Sequence, residues 1–235
     1  LKDFTLIIPT FNEKENISKI IPLASKEIKK IPKIKFEILV MDDNSPDGTA
    51  EQAKKLSKKY PVKVIVRKKD KGLSQAVVEG FKKAEGKVIG VIDADLSHPV
   101  EKIPAMLKPL LEGKTDISIG SRYTKGGAIE NWPLKRRIIS IGATLLARPL
   151  TSVKDPVSGY IFMQKEVIKN AELNPTGFKI TLEILVKGTY SKVREIPISF
   201  KDRAEGESKM DKKQIVLYIK HLLLLYSWKI KSFFR

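Results

Sequence analysis

Four short runs rich in Val and Ile, at residues 4–8, 37–41, 62–66 and 88–92, alternate with amphipathic segments of helix length at 15–30, 49–60, 74–85 and 100–112. An apolar run of about five residues, flanked by segments of 3.6-residue periodicity, reads as a strand buried on both faces. The segments between are then the crossover helices that bring the chain back parallel. The chain is therefore expected to be α/β, with a central, mostly parallel sheet flanked by helices. A fifth strand is expected at 117–120. Beyond Gly120 the rhythm loosens: 123–131 reads as a glycine-containing loop and 134–150 as an amphipathic helix carrying Lys135, Arg136, Arg137 and Arg148. A strand at 160–163, a helix at 181–187 and a strand at 193–198 complete the globular part, with no internal repeat and no low-complexity linker.

In an open α/β sheet, ligands gather at the carboxyl ends of the strands. Those ends are strongly polar here: "PTFNE" follows the first run, "DDNSPDGT" the second, "DADLSHP" the fourth and "GSRY" the fifth. If strand geometry persists through Ala94, Asp93 and Asp95 project to the same side, and two like charges so placed call for a cation. A divalent ion whose oxygen shell is completed by a diphosphate would satisfy them. A solvated acidic turn, or Asp95 capping the helix that begins near Pro99, explains an isolated "DAD" equally well. Asp42 and Asp43 pose the same choice. The turn formers Asn44 to Gly48 predict a cap at Asp47 or Thr49, while Asp42 at the strand end could accept hydrogen bonds from a ribose or base. Glu13 is either a helix N-terminal charge or a ligand contact.

Composition decides which chemistry these residues can support. There is no cysteine, which excludes thiolate metal sites and cysteine nucleophiles, and the only histidines are His98 and His221. Any metal then sits on hard oxygen ligands, with Mg2+ or Mn2+ the expectation. Lys and Arg number 45 against 27 Asp and Glu, a net charge of +18, so polyanions are the favoured partners. Nucleic acid, an anionic membrane surface and phosphorylated substrates all fit that charge. The second half supplies cations that could meet phosphate: Arg122, Arg136 with Ser140 one turn on, Lys179, and Arg203, Gly206, Ser208 and Lys209. In so basic a chain, any one of them alone reads equally as a solvated surface charge.

The stretch 215–228 is dense in Leu, Ile and aromatics but is interrupted by Lys220 and His221. It falls short of the roughly 20 apolar residues a membrane span needs. It reads either as a helix lying in a membrane interface or as one packed on the domain or on a second subunit. The sequence enters its first strand pattern by Phe4, which predicts a cytoplasmic setting without a signal peptide.

Taken in order, "PTFNE", "DDNSPDGT", "KGLSQAVVEGFKKAEG", "DADLSHP", "GSRY", "DPVSGY", "GFKITLEIL" and "EIPISFKDRAEGESKM" resemble glycosyltransferase family 2, from Phe4 to about Lys209. Within it they are similar to the dolichyl (polyprenyl) phosphate mannose synthases, and the "QxxRW" of the polysaccharide synthases is absent. The resemblance implies a GT-A nucleotide-diphospho-sugar transferase fold over residues 1–210. Residues 134–150 would form an amphipathic membrane-interface helix within it, and 211–235 a C-terminal amphipathic membrane-associated helix.

It also implies inverting transfer of mannose from GDP-mannose to a dolichyl or polyprenyl phosphate. The enzyme would be metal-dependent and work at the cytoplasmic face of a membrane, peripheral or anchored by segments beyond this chain. By motif, Pro9, Phe11, Glu13, Val40 and Asp42 would surround the nucleoside, and Asp93, Ala94 and Asp95 would contact the donor. Asp93 and Asp95 would hold Mg2+ or Mn2+, with Ser97 as a further ligand where relatives commonly carry glutamine. Arg122, Lys179, Arg203 and Lys209 would bind phosphates of the donor or acceptor, and Arg136 and Ser140 would receive the acceptor phosphate. Competing expectations are transfer of glucose or another hexose to the same lipid phosphate, and a basic nucleic-acid-binding protein. The latter lacks any helix-turn-helix, zinc-spacing or RNP-like motif, so no nucleic-acid partner is expected.

Overall fold

The computed structural model describes residues 2–130, 132–174, 179–201 and 212–233. Its first half alternates as the periodicity predicts: β1 (Lys2–Thr10), α1 (Lys14–Ile28), β2 (Phe36–Asp42), α2 (Thr49–Leu56), β3 (Val62–Val66), α3 (Leu73–Lys83), β4 (Gly86–Val91), then a short 3-10 turn and α4 (Ile103–Leu111). The second half comprises β5 (Ile117–Ser121), β6 (Ala128–Ile129), α5 (Leu134–Ala147), β7 (Ile161–Gln164), α6 (Ile180–Lys187), β8 (Val193–Pro197), β9 (Ser199–Phe200) and α7 (Lys212–Phe233).

Seven strands form one sheet in the order β3-β2-β1-β4-β7-β5-β8, and β6 and β9 form a separate parallel pair. All neighbours in the large sheet are parallel except β7, which runs antiparallel to both β4 and β5. Alternate side chains of the central strands enter two different apolar layers. Phe4, Leu6, Ile8, Ile38 and Val40 pack with α1 and α4 on one face. Ile7, Leu39, Met41, Ile89 and Val91 pack with α3 and α6 on the other. This is why the runs are apolar throughout and not alternating, and each side chain so buried contributes about 1.5–3 kcal/mol. Gly90 and Gly120 leave room for aromatic rings of β7 and its approach, since a Cβ at either would run into Phe162 or Tyr160.

Two expectations need correction. The loop expected at 123–131 contains β6, which pairs Ala128 with Ser199 and Ile129 with Phe200; a two-residue strand leaves no periodicity to read. The strand expected at 193–198 is two strands, β8 ending at Pro197 and β9 beginning at Ser199. A third apolar cluster joins α5, α6 and α7 through Ala147, Leu182, Tyr218, Leu222 and Leu225. The C-terminal helix thus packs on the domain along one face. Its opposite face leaves Val216, Leu223, Leu224 and Ile230 exposed. Among the described residues, no helix is long and apolar enough to cross a membrane.

Candidate active site

The carboxyl ends of β1, β2, β4 and β5 open on one side of the sheet, and hydrogen bonds between their loops build the floor. The loop after β1 is fastened to the loop after β2: the amides of Asn12, Glu13 and Lys14 donate to Ser45 Oγ (3.0 Å), Thr49 Oγ1 (2.9 Å) and Asp47 Oδ2 (3.0 Å). Asp47 also accepts the amide of Thr49 at the start of α2, so one carboxylate serves the first residues of two helices. Burial pushes the Asp47 carboxyl up, but bonds from Thr49 and Lys14 outweigh it and hold the group below the usual carboxylate range.

On this edge Phe11 is exposed and Glu13, at the N-terminus of α1, is half-buried, its Oε2 accepting the Asn16 amide at 2.7 Å. Pro9 is a buried residue near the end of β1. Asp42 is fully buried, and its carboxylate accepts Thr10 Oγ1 (3.0 Å), Ser45 Oγ (2.6 Å) and Ser45 N (2.9 Å). Val40 belongs to the core layer and not to the open surface.

Strand β4 ends at Val91, and Ala94 and Asp95 lie in a turn followed by Leu96 at φ 59°. The condition that strand geometry persist through Ala94 is not met, so a turn, and not the pleat, sets the directions of Asp93 and Asp95. Asp95 Oδ1 accepts the amide of Ser97 at 3.0 Å. Ser97 Oγ is buried and has no hydrogen-bond partner among the described residues, a state that ordinarily costs about 1–3 kcal/mol. Next to it His98 is buried, 5.1 Å from the Tyr160 ring centre and with Nδ1 3.6 Å from Asp93 Oδ2. Burial pushes its pKa down against the opposing pull of Asp93 and Asp95.

Arg122, the residue after β5, is buried and meets Asp155 through two side-chain bonds, Nε to Oδ2 at 2.8 Å and NH2 to Oδ1 at 2.7 Å. Its backbone amide donates to the same carboxylate at 2.9 Å. Burial disfavours its charge, but Asp155 more than offsets this and raises the guanidinium above its ordinary value. Tyr123, one residue on, donates its hydroxyl to Ser140 Oγ at 2.9 Å, which ties the end of β5 to α5. The Arg136 guanidinium lies 4.2 Å from the ring centre of Trp132.

Lys179, at the N-terminus of α6, donates to the carbonyl of Val157 at 3.2 Å. Burial, and then the charge of Arg122, lower its pKa to about 7, with Asp155 and Asp93 opposing and Arg136 adding to the depression. Arg122, Arg136, Lys179 and Asp93 therefore lie within electrostatic reach of one another. Arg203 and Lys209 fall outside the described residues.

The model of Glycosyl transferase family 2 matches residues 5–171, which takes in every strand end of this site up to β7. The chain belongs to glycosyltransferase family 2. Among curated proteins it is 51% identical over 229 residues to the dolichol-phosphate mannosyltransferase of Pyrococcus furiosus, covering 96% of this chain and 64% of that protein. The chain thus spans just under two thirds of that relative's length. It is 42% identical to the enzyme of the same name from Mycosarcoma maydis, over 96% of this chain and 79% of that one. For that of Saccharomyces cerevisiae the figures are 38%, 97% and 88%.

Solved structures of lower identity share the GT-A fold of this family-2 chain. Mannosyl-3-phosphoglycerate synthase from Rubrobacter xylanophilus superposes with a TM-score of 0.71 at 18% identity, over 94% of this chain and 73% of that one. Glucosyl-3-phosphoglycerate synthase from Mycobacterium tuberculosis, crystallised with Mn2+ and UDP, superposes at 0.68 and 18%, over 97% and 80%.

At the acidic turn of this family-2 chain, Asp93, Asp95 and Ser97 are oxygen donors of the kind a divalent cation takes. Among the described residues no group of three or more Asp, Glu or His is arranged to hold a metal on its own. Two carboxylates and the orphaned Ser97 hydroxyl could therefore supply only part of an oxygen shell. That is the arrangement a magnesium-like ion adopts when phosphate oxygens complete its coordination.

Sequence reasoning missed Asp155, Tyr123, Trp132 and Phe200 as parts of the site. It also missed the buried ion pair of Asp43 with Arg67, which holds the loop before α3 through Asp43 Oδ2 and the Gly72 amide (2.7 Å). The "DPVSGY" motif was the available signal for Asp155, but nothing in it names Arg122 as the partner.

Proposed function

We propose that the chain transfers mannose from GDP-mannose to a dolichyl or polyprenyl phosphate, with inversion at the anomeric carbon. The observation that carries this reading is a set of cations, Arg122, Arg136 and Lys179, gathered opposite the acidic turn of Asp93 and Asp95. The names of the curated relatives support the mannosyl and lipid-phosphate assignment.

An acceptor phosphate is already ionised at neutral pH, so the attack needs no general base. One of its oxygens forms the new bond to C1 of the sugar as the bond from C1 to the diphosphate breaks, and GDP departs with the electron pair. The obstacle is repulsion between two anions, and positive charge fixed in place answers it. Arg122, locked on Asp155, and Lys179 screen the approach, with Arg203 and Lys209 assigned the same work by motif. Arg136 receives the acceptor phosphate. Ser140 Oγ accepts the hydrogen bond from the Tyr123 hydroxyl and so keeps its own hydroxyl hydrogen free to donate to that phosphate. Pro9, Phe11, Glu13 and Asp42, with the strand that carries Val40, form the nucleoside edge. A bound Mg2+ or Mn2+ would supply Lewis-acid stabilisation of the departing diphosphate, held by Asp93, Asp95 and Ser97.

The same helix that offers Arg136 and Ser140 turns an apolar stripe outward: Leu134, Ile138, Ile141 and Leu145 are all exposed, while Ser140, Thr144 and Ala147 are buried. Alongside, α7 is fixed by Tyr218 and Tyr226 hydroxyls donating to the carbonyls of Ala143 and Leu146, each at 2.7 Å. This double apolar face, edged by Lys135, Arg137, Lys220 and Lys231, is read as the surface that rests on an anionic bilayer and admits the lipid acceptor. The proposal includes work at the cytoplasmic face of a membrane, with this surface as the point of contact.

The deciding experiment is transfer of radiolabel from GDP-mannose to a polyprenyl phosphate, with and without chelator, beside a panel of GDP- and UDP-glucose. Labelled lipid formed from GDP-mannose and lost on chelation is the expected result. Preference for a glucose donor would replace the sugar assignment, and transfer only to a water-soluble acceptor would overturn the reading.

A further inference from the structure

The stretch between α5 and β7 has no regular secondary structure, yet it carries Asp155, whose side chain is fully buried. Backbone in such a stretch keeps its place through side chains that satisfy its polar groups. Glu195 does this at the leading end. It is half-buried in β8, opposite Ile119 of β5, and its carboxylate accepts two consecutive amides: Lys154 N on Oε2 at 3.0 Å and Asp155 N on Oε1 at 3.1 Å. At the trailing end Ser158 donates its hydroxyl to the Gly120 carbonyl at 2.7 Å, and Thr181 donates to the Ser158 carbonyl at 2.6 Å. Between these anchors Asp155 receives Arg122 at three points, the backbone amide, Nε and NH2.

We propose that Glu195 is a positioning residue: by clamping the amides of Lys154 and Asp155 it sets where Asp155 holds the Arg122 guanidinium. This deepens the proposed function and rests on it for the task given to Arg122.

One of the two clamped amides belongs to Asp155 itself and the other to the residue before it, so a change at Glu195 moves the Cα of Asp155. Only two side-chain torsions separate that atom from the carboxylate, and burial leaves them little freedom to compensate. Arg122 must follow, because its amide and its guanidinium donate to the same carboxylate and both ends of its side chain are fixed by it. The clamp also calls for a carboxylate in particular. Each oxygen takes one N–H, and an ionised acceptor bonds more strongly than a neutral one. Glutamine, of nearly the same shape, would turn an NH2 group toward one of the two donors.

The test uses the full chain with Glu195→Gln. The kcat for transfer from GDP-mannose is expected to fall about tenfold, short of the roughly 100-fold that a displacement of about 1 Å can cost. KM for both substrates should stay within about twofold of wild type, because Arg122 is assigned to the crossing of the two anions and not to their binding alone. Adding Glu195→Gln to Asp155→Asn should slow that variant no further, since both changes act through one carboxylate. A kcat equal to wild type in Glu195→Gln, or losses that multiply in the double variant, would overturn the proposal.

A second arm needs no turnover. Arg122 and Arg67 are both buried, with Nε donating to Asp155 and to Glu79 respectively, so each should give a slowly exchanging Nε–H signal in NMR of nitrogen-labelled protein. In Glu195→Gln the Arg122 signal should shift or broaden while that of Arg67 stays in place. An unmoved Arg122 signal, or equal changes at both arginines, sinks the inference even if transfer proceeds. A change confined to Arg122, in a protein whose wild type forms no labelled lipid, keeps the clamp and removes the proposed reaction.

Discussion

Arg122 and Asp155, 33 residues apart in sequence, meet through two parallel N–H···O bonds in a place where the carboxylate has no exposure at all. Neither charge can be lost without stranding the other. Asp155→Asn is expected to destabilise the protein by about 3–5 kcal/mol, a fall of roughly 10 °C in melting temperature for a domain of this size. A misaligned Arg122 should lower turnover about 100-fold. Replacing both residues, as Arg122→Met with Asp155→Leu, should recover much of the stability and none of the activity. Thermal unfolding beside the transfer assay separates the two contributions, and full activity in Asp155→Asn would remove Arg122 from the site.

Lys179 should make anion binding pH-dependent near neutrality. With its pKa at about 7 in the free protein, the ammonium is largely neutral at pH 8, and binding a phosphate will draw a proton onto it. Affinity for GDP-mannose is therefore expected to fall as pH rises above about 7, by at most tenfold per unit. Calorimetry in buffers of different ionisation enthalpy should find proton uptake at pH 8 and little at pH 6, and Lys179→Met should abolish it. The same depression has a second sign to check. Between pH 7 and the ordinary lysine range the unfolded chain binds the extra proton, so stability of the ligand-free protein should rise with pH across that interval.

Asp95→Ala removes a half-exposed carboxylate that accepts the Ser97 amide and acts on the charge of His98. The expected cost in stability is about 1 kcal/mol, while transfer should fall at least 100-fold. Near-normal turnover in saturating magnesium would contradict the role given to the acidic turn.

The outward face of α7 can be tested apart from the chemistry. Leu223 and Leu224 are 64% and 56% exposed, and burying each in a bilayer would gain about 1.5–3 kcal/mol. Changing both to Asp should abolish flotation with anionic liposomes at physiological salt, while transfer to a short, water-soluble isoprenoid phosphate continues. Undiminished flotation would place the membrane contact elsewhere.

The local layer of the fold was legible because its cause is local. Runs such as 37–41 and 88–92 are apolar at every position because each strand is covered on both faces, and the helices between them show their own period. Direction was not legible. Residues 160–163 read correctly as a strand, but its antiparallel insertion between β4 and β5 depends on contacts with Val91 and Ile119 that no window of sequence contains. The site was legible in its charged strand ends and illegible in its supports. Asp155 and Phe200 act on Arg122 across 33 and 78 positions. The turn at Ala94, which removes the condition under which Asp93 and Asp95 would share one side of a strand, is followed by Leu96 in a left-handed conformation that leucine gives no reason to predict.

Because β7 runs against its neighbours, the chain enters it at the open end of the sheet, and its lead-in segment passes between the acidic turn and the cations. Asp155 reaches to Arg122 on one side, and a Cβ on Gly159 would lie 3.2 Å from Asp93 Oδ2 on the other. Four residues apart, these two positions tie the spacing of Asp93 and Arg122 to one short stretch of chain. If the proposed reading holds, that stretch acts as a ruler for the distance between leaving group and nucleophile, and a residue inserted into it should change which acceptors fit while the loops after β1 and β2 are left untouched.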